Sequence, residues 1–123
     1  MSCGAISNTN HELKDPKKGY VWITWTPIPN LGDPFVKIIA EFAVEEYNKK
    51  YKKQWKCKGI QQGWYTVMEN NQTQYRFHLQ QDEVPEGDEN IYEAVVSGSV
   101  QSHDLPFLLM NKNLILFMPY FNY

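Results

Sequence analysis

Apolar and polar residues recur with helical spacing between positions 33 and 48. The apolar positions are Phe35, Ile38, Ile39, Phe42, Ala43 and Tyr47. This spacing places them on one helix face, which we expect to be buried. Asp33 is a favourable N-cap, Pro34 suits the first helical position, and the lysines after residue 48 suit the negative end of the helix dipole. The pattern therefore predicts one long helix that begins after Asp33.

Strand-forming residues surround this helix and predict five strands, one before it and four after it. The predicted ranges are 20–26, 54–68, 73–81, 91–101 and 108–118. Pro27 is expected to end the first strand, while Gly59 and Gly63 indicate a bulge or a close approach of another backbone within the second. Because hairpin-length connections join the later strands, the sheet should be antiparallel.

The fold class predicted from these elements is α+β, with one long helix packed on a four- to five-stranded antiparallel sheet. A length of 123 residues suits a single core. Residues 1–19 lack periodicity and are rich in polar residues, so we expect a flexible leader there. Residues 20–123 are then the folded domain.

The helical segment also carries a family resemblance. Residues 39–48, with the sequence IAEFAVEEYN, resemble the helix signature of the plant cystatins, or phytocystatins. Trp25-Thr26-Pro27-Ile28 upstream and Tyr75-Arg76 downstream extend the resemblance. It implies a cystatin-like fold and reversible inhibition of papain-like cysteine proteases, in which a wedge plugs the cleft over the catalytic cysteine.

The resemblance also implies which residues form this wedge. They belong to the segment before the first strand, the first hairpin and the second hairpin, and are Ile23, Thr24, Val67, Met68, Glu69, Asn70, Pro106 and Phe107. The Gln-x-Val-x-Gly motif of the family is absent before Tyr75, and Ile23-Thr24 replaces its Gly-Gly pair. An alternative therefore stays open, a non-inhibitory cystatin-fold module that binds another protein.

Composition restricts the possible partners further. The net charge of −2 gives no electrostatic steering toward nucleic acid or an anionic membrane, so neither is an expected partner. The one basic run, residues 49–58, is expected to be a solvated helix end and strand face. The predicted partner is a papain-like protease, and the chain is predicted to be a monomer, with a domain-swapped dimer as the open alternative.

Candidate catalytic and metal-binding residues are few. Cys3 and Cys57 with the three histidines do not form a spaced cluster, and no glycine-rich phosphate loop is present. We therefore expect no enzyme activity, no catalytic residue, no metal and no cofactor. Because Cys3 lies in the expected leader, both cysteines are predicted to be free thiols.

The expected compartment is the cytoplasm, because residues 1–20 lack the apolar core of a signal peptide. A secreted chain from which a signal peptide had been removed would give the same pattern. In that case the triplet Asn71-Gln72-Thr73 would be a potential glycosylation site.

Overall fold

The described part of the chain forms one helix and a five-stranded antiparallel sheet. The structure is a computed structural model, and it describes residues 3–5, 24–68, 72–82, 90–100 and 109–120. Its elements are β1 (Thr26–Pro27), α1 (Pro34–Tyr51), β2 (Cys57–Val67), β3 (Gln72–Gln81), β4 (Ile91–Val100) and β5 (Leu109–Pro119). The strands are ordered β1-β2-β3-β4-β5 in space as in sequence. The α+β class with one helix and an antiparallel sheet is thus confirmed.

Both ends of α1 follow from local sequence. The Asp33 side chain accepts a hydrogen bond from the Phe35 amide at 2.9 Å, so Asp33 is the predicted N-cap. At the other end Lys52 adopts the left-handed conformation (φ 52°), and the Lys53 amide donates to the Asn48 carbonyl at 3.0 Å. Within the described part of the chain, no helix combines the length and low polarity that a bilayer span requires.

The buried face of α1 differs from the predicted one. Phe35 and Ile38 are exposed, at 40% and 50%, although their spacing placed them on the apolar face. The residues that are buried instead are Val36, Ile39, Ala40, Ala43 and Val44. The buried face is centred nearer to Ala40 and Ala43 than the prediction, because small side chains let a helix backbone approach a sheet closely. This close contact outweighs the burial of Phe35 and Ile38 on the flank.

The core lies between α1 and one face of the sheet, centred on β3. Tyr75, Phe77 and Leu79 alternate along β3 and are all buried in the same cluster as the helix residues. Gly63 of β2 allows the chain before α1 to pack closely, since a Cβ there would lie 2.9 Å from Ile28 Cδ1. Register shifts at Cys57/Gly59 and Ile60/Gln62 supply the expected bulges.

The first strand is displaced relative to its prediction. Pro27 does not end it, because β1 consists of Thr26 and Pro27, which pair with Tyr65 and Trp64 of β2. Proline is tolerated there since β1 is an edge strand whose other side has no neighbour in the sheet order. Residues 20–23 of the predicted strand lie outside the described residues.

A disulfide joins Cys3 to Cys57, so the prediction of two free thiols is wrong. The two Cα atoms are 5.4 Å apart, within the normal range for a disulfide. Ala5 bridges Ile60 of β2 in a parallel sense, and the Ile60 amide donates to the Gly4 carbonyl at 2.8 Å. Local sequence could not reveal the pairing, because it depends on residues 3–5 lying alongside β2. The remaining leader residues lie outside the described ranges, and the 1–19 boundary stays a prediction.

The turn after α1 is fixed by a two-way hydrogen bond. The Asn48 side chain donates to the Trp55 carbonyl at 3.0 Å and accepts from the Trp55 amide at 2.8 Å. Trp55 in turn packs edge-on against Tyr92 of β4 and Phe117 of β5. The C-terminal end of the helix is therefore held at the end of the sheet where β4 begins and β5 ends.

The disulfide provides the first testable prediction. The double variant Cys3→Ser/Cys57→Ser should have a free energy of unfolding about 2–4 kcal/mol below that of the parent, because the disulfide restricts the unfolded chain. Urea unfolding under non-reducing conditions measures the difference. Adding a reductant should lower the stability of the parent by a similar amount and leave the double variant unchanged. Equal stabilities of parent and variant would contradict the prediction.

Candidate functional site

Three segments meet at one end of the sheet, which we call the rim. It comprises Thr24, the β2–β3 hairpin at Val67, Met68 and Gln72, and the β4–β5 connection at Ser99, Val100, Leu109 and Met110. The antiparallel register brings them together, since Val67 pairs with Thr73, Thr73 with Gly98, and Val100 with Leu109. Thr24 precedes β1, in which Thr26 pairs with Tyr65, so it lies toward the same end.

The rim presents apolar side chains to solvent. Val67, Met68 and Met110 are 54%, 37% and 45% exposed. Their backbone is well held, because the Met68 amide donates to the Gln72 carbonyl at 2.6 Å and closes the β2–β3 hairpin. Gln72 Nε2 donates to Ser99 Oγ at 3.2 Å and links the two hairpins. An apolar surface presented by a rigid sheet is typical of a protein-binding site.

The structure describes three of the eight predicted contact residues. Thr24, Val67 and Met68 are exposed at the rim, where the prediction placed them together. The other five lie outside the described residues and are Ile23, Glu69, Asn70, Pro106 and Phe107. Met110 was missed at the sequence level, although its position at the start of the last predicted strand was a usable signal.

The exposed flank of α1 adds to the same end of the molecule. α1 runs alongside β5 in the same direction, because Phe42 lies near Lys112 (5.6 Å from Nζ to the ring centroid) and Tyr47 stacks on Phe117 at 4.2 Å. Helix residues before Phe42 therefore lie toward the start of β5. This places the exposed Phe35 and Ile38 on the rim side. They were not predicted as site residues because the helical spacing assigned them to the core.

A polar cluster lies on the sheet face opposite the helix. Glu93 Oε1 accepts from Arg76 Nε at 2.7 Å and lies 3.1 Å from His78 Nε2, while His78 Nδ1 lies 3.1 Å from Gln62 Oε1. Tyr120 covers the imidazole at 4.0 Å between ring centroids, and Trp64 packs on it edge-on at 4.9 Å. These rings explain why His78 is buried although it lies on the sheet face opposite α1.

The charges of this cluster are strongly coupled. Burial alone would raise the pKa of Glu93, but hydrogen bonds from His78 and Arg76, together with their positive charge, lower it to about 2. Glu93 is therefore ionised at neutral and mildly acidic pH and holds two adjacent strands, β3 and β4, together. The described residues contain no group of three His, Cys, Asp or Glu side chains that could hold a metal ion.

The rim and its scaffold define the class of protein, a small α+β domain that presents exposed apolar side chains at a hairpin-built end of its sheet. A family model for the aspartic acid proteinase inhibitors called SQAPI matches residues 28–107, well over half of the chain, and the chain belongs to this family. No curated protein and no solved structure matches the chain. The matched segment runs from the residue after β1 to Phe107 and includes the whole β2–β3 hairpin.

This finding corrects the family assignment that was inferred from the helix signature. No cystatin family is found, so the identification as a phytocystatin is wrong, and so are the predicted inhibition of papain-type cysteine proteases and the papain-like partner. The non-inhibitory alternative has no support either. The physical reason is that residues 39–48 encode a buried helix face and the Asn48 link to Trp55, which are features of the scaffold. They carry no information about the target.

The polar cluster makes stability depend on pH in a defined window. Because folding lowers the pKa of Glu93 from 4.5 to about 2, its contribution is fully present above pH 4.5 and is lost as the pH falls toward 2. The contribution is about 3 kcal/mol at most. Urea unfolding between pH 2 and pH 6 should show Glu93→Gln less stable than the parent at pH 6 and the two converging near pH 2.

The exposed carboxylate Glu45 on the far side of α1 offers a matched control. Glu45→Gln should follow the parent curve across the whole pH range. A Glu93→Gln variant that differed from the parent by a constant amount at every pH would contradict the assigned pKa.

Proposed function

We propose that this chain inhibits an aspartic proteinase by binding it reversibly through the rim, without being an enzyme itself. Family membership supports the class of target. The observation that carries the proposed site is the exposure of Val67, Met68 and Met110 on a hydrogen-bonded hairpin end. Burying the remaining exposed area of such half-exposed side chains against a partner contributes about 1 kcal/mol each, and little of this is lost to ordering because the sheet already holds the strands that carry them.

The proposed contact keeps the residues first assigned to the wedge. Thr24, Val67 and Met68 form its described part, and Ile23, Glu69, Asn70, Pro106 and Phe107 are proposed to extend it. None of the three described residues carries a charge, so none repels the catalytic carboxylate pair of the target or loses much hydration on docking. The proposed scaffold, residues 20–123, has a cystatin-like arrangement in which one helix packs on the sheet.

The ionisation of Glu93 suits the proposed target. The working state of such a proteinase has two aspartic carboxyl groups that share one proton, which places its activity at acidic pH. An inhibitor must stay folded in that acidic window. With a pKa of about 2, Glu93 is still ionised in the folded protein in the upper part of this window and keeps part of its stabilising contribution there, which declines toward pH 2.

The disulfide also suits this function. Disulfides persist in oxidising compartments and are rare in the cytosol. We therefore propose that the protein acts outside the cytosol, in contrast to the compartment expected from the sequence. The pairing of Cys3 with Cys57 supports this proposal.

An inhibition assay tests the proposed function. Pepsin is assayed at pH 3.5 with a fluorogenic peptide and titrated with the parent and with Val67→Ala/Met68→Ala. The parent should inhibit, and the variant should raise the inhibition constant at least tenfold, since losing two apolar contacts costs more than about 1.4 kcal/mol. Papain should be unaffected by both proteins.

Tyr51→Ala serves as the matched control, because Tyr51 is 53% exposed at the opposite end of α1. It should inhibit as well as the parent. If neither pepsin nor a panel of other aspartic proteinases is inhibited at roughly 10 μM, a free energy of binding weaker than about −7 kcal/mol, the proposed function is rejected. If inhibition is unchanged in Val67→Ala/Met68→Ala, the rim is rejected as the contact.

A further inference from the structure

The segment that leads into β1 carries the rim residue Thr24. Pairing of β1 with β2 begins at Thr26, and the Ile28 amide donates to the Gly63 carbonyl at 3.0 Å, so the sheet holds the backbone from Thr26 onward. Thr24 lies two residues before this pairing. Its position at the rim therefore depends on how Trp25, the residue between Thr24 and β1, is held.

Trp25 contacts a charged side chain on the sheet face opposite α1. Arg76 Cζ lies 5.5 Å from the centroid of the Trp25 ring, within the range of a cation–π interaction. Arg76 is in β3, where it pairs with Trp64 of β2, so the contact reaches across β2 from the edge of the sheet. The indole is half-buried, which strengthens the attraction relative to a fully solvated pair.

Arg76 is itself held in place by Glu93 of β4. Its Nε donates to Glu93 Oε1 at 2.7 Å, and only 14% and 10% of the two side chains are exposed. Because this pair already restricts the guanidinium, the Trp25 ring packs against it with little further loss of side-chain freedom. The row of Trp25, Arg76 and Glu93 therefore connects the segment before β1 to β3 and β4.

This row lies apart from the core of the molecule. Among the described residues, the apolar cluster between α1 and the sheet does not include Trp25. Because the Trp25 ring packs on the opposite sheet face, its contact with Arg76 adds nothing to the packing of the helix on the sheet. What the contact does restrain is the chain that leads to Thr24.

We propose that Trp25 and Arg76 are positioning residues, which hold the segment before β1, with Thr24 as its described part, in the conformation that binds the proteinase. This inference rests on the proposed function, in which that segment contributes to the contact. A segment that is ordered before docking loses less conformational entropy on binding. Arg76 acts through Trp25 and not by touching the proteinase.

Backbone order in the free protein tests the positioning step. Amide relaxation measured by NMR at pH 3.5, where Glu93 is ionised, should give Thr24 an order parameter of about 0.85 in the parent and below about 0.6 in Trp25→Leu. Trp25→Phe is the matched variant, because it keeps an aromatic ring for Arg76, and it should restore most of the order. A Thr24 amide that is equally ordered in the parent and in Trp25→Leu would overturn the proposal.

The pepsin assay then tests whether this order matters for binding. Trp25→Leu should raise the inhibition constant about fivefold or more, whereas Trp25→Phe should stay within about twofold of the parent. Arg76→Met should act like Trp25→Leu, and the double variant should inhibit no less than either single variant, because both changes remove the same contact. The two Trp25 variants decide the result if Arg76→Met does not fold.

The outcomes separate this inference from the proposed function. A parent that inhibits no aspartic proteinase rejects the proposed function, and the inference falls with it. If Trp25→Leu inhibits as well as the parent although its Thr24 amide has lost order, the inference alone is overturned. A urea unfolding midpoint close to that of the parent confirms that Trp25→Leu is folded.

Discussion

The rest of the molecule depends on the packing of the alanine face of α1 on the apolar face of the sheet, where the helix backbone comes closest to β4 and β5. Ala40 and Ala43 are fully buried in one cluster with Tyr75, Phe77 and Leu79. Small residues on the helix allow large residues on the strand to fill the intervening space at native density. This contact decides which helix flank stays exposed and where the sheet ends meet solvent.

Features that depend on neighbouring residues could be predicted from the sequence. The helix start at Asp33, the four strands after the helix and the antiparallel class each follow from spacing, capping or turn residues within a short window. Features that depend on the pairing register of the strands could not be predicted from the sequence. His78 and Glu93 lie 15 positions apart and meet only because β3 and β4 pair in register, and Cys3 meets Cys57 across 54 positions. Neither contact has a local sequence signal.

The candidate site divides in the same way. Val67 and Met68 could be placed at a hairpin from the sequence because hairpins have local signals, whereas Phe35 and Ile38 were misassigned because helical spacing alone does not show how far the buried face turns. The family resemblance failed for a related reason. Residues 39–48 satisfy the packing demands of a helix on a sheet, so they describe a scaffold that suits more than one target. In the proposed function, the choice of target depends on the exposed hairpin residues instead.

The disulfide has a further consequence for a protein that meets proteolytic enzymes. Cys3 and Cys57 enclose β1 and the whole of α1 within one covalent ring. A single cut in any peptide bond of that ring opens the loop without releasing a fragment, and both pieces stay tethered at β2. The helix remains in its place on the sheet because its packing and its Asn48 link to Trp55 are untouched by a distant cut. Cleavage of one peptide bond in the ring therefore does not by itself inactivate the protein.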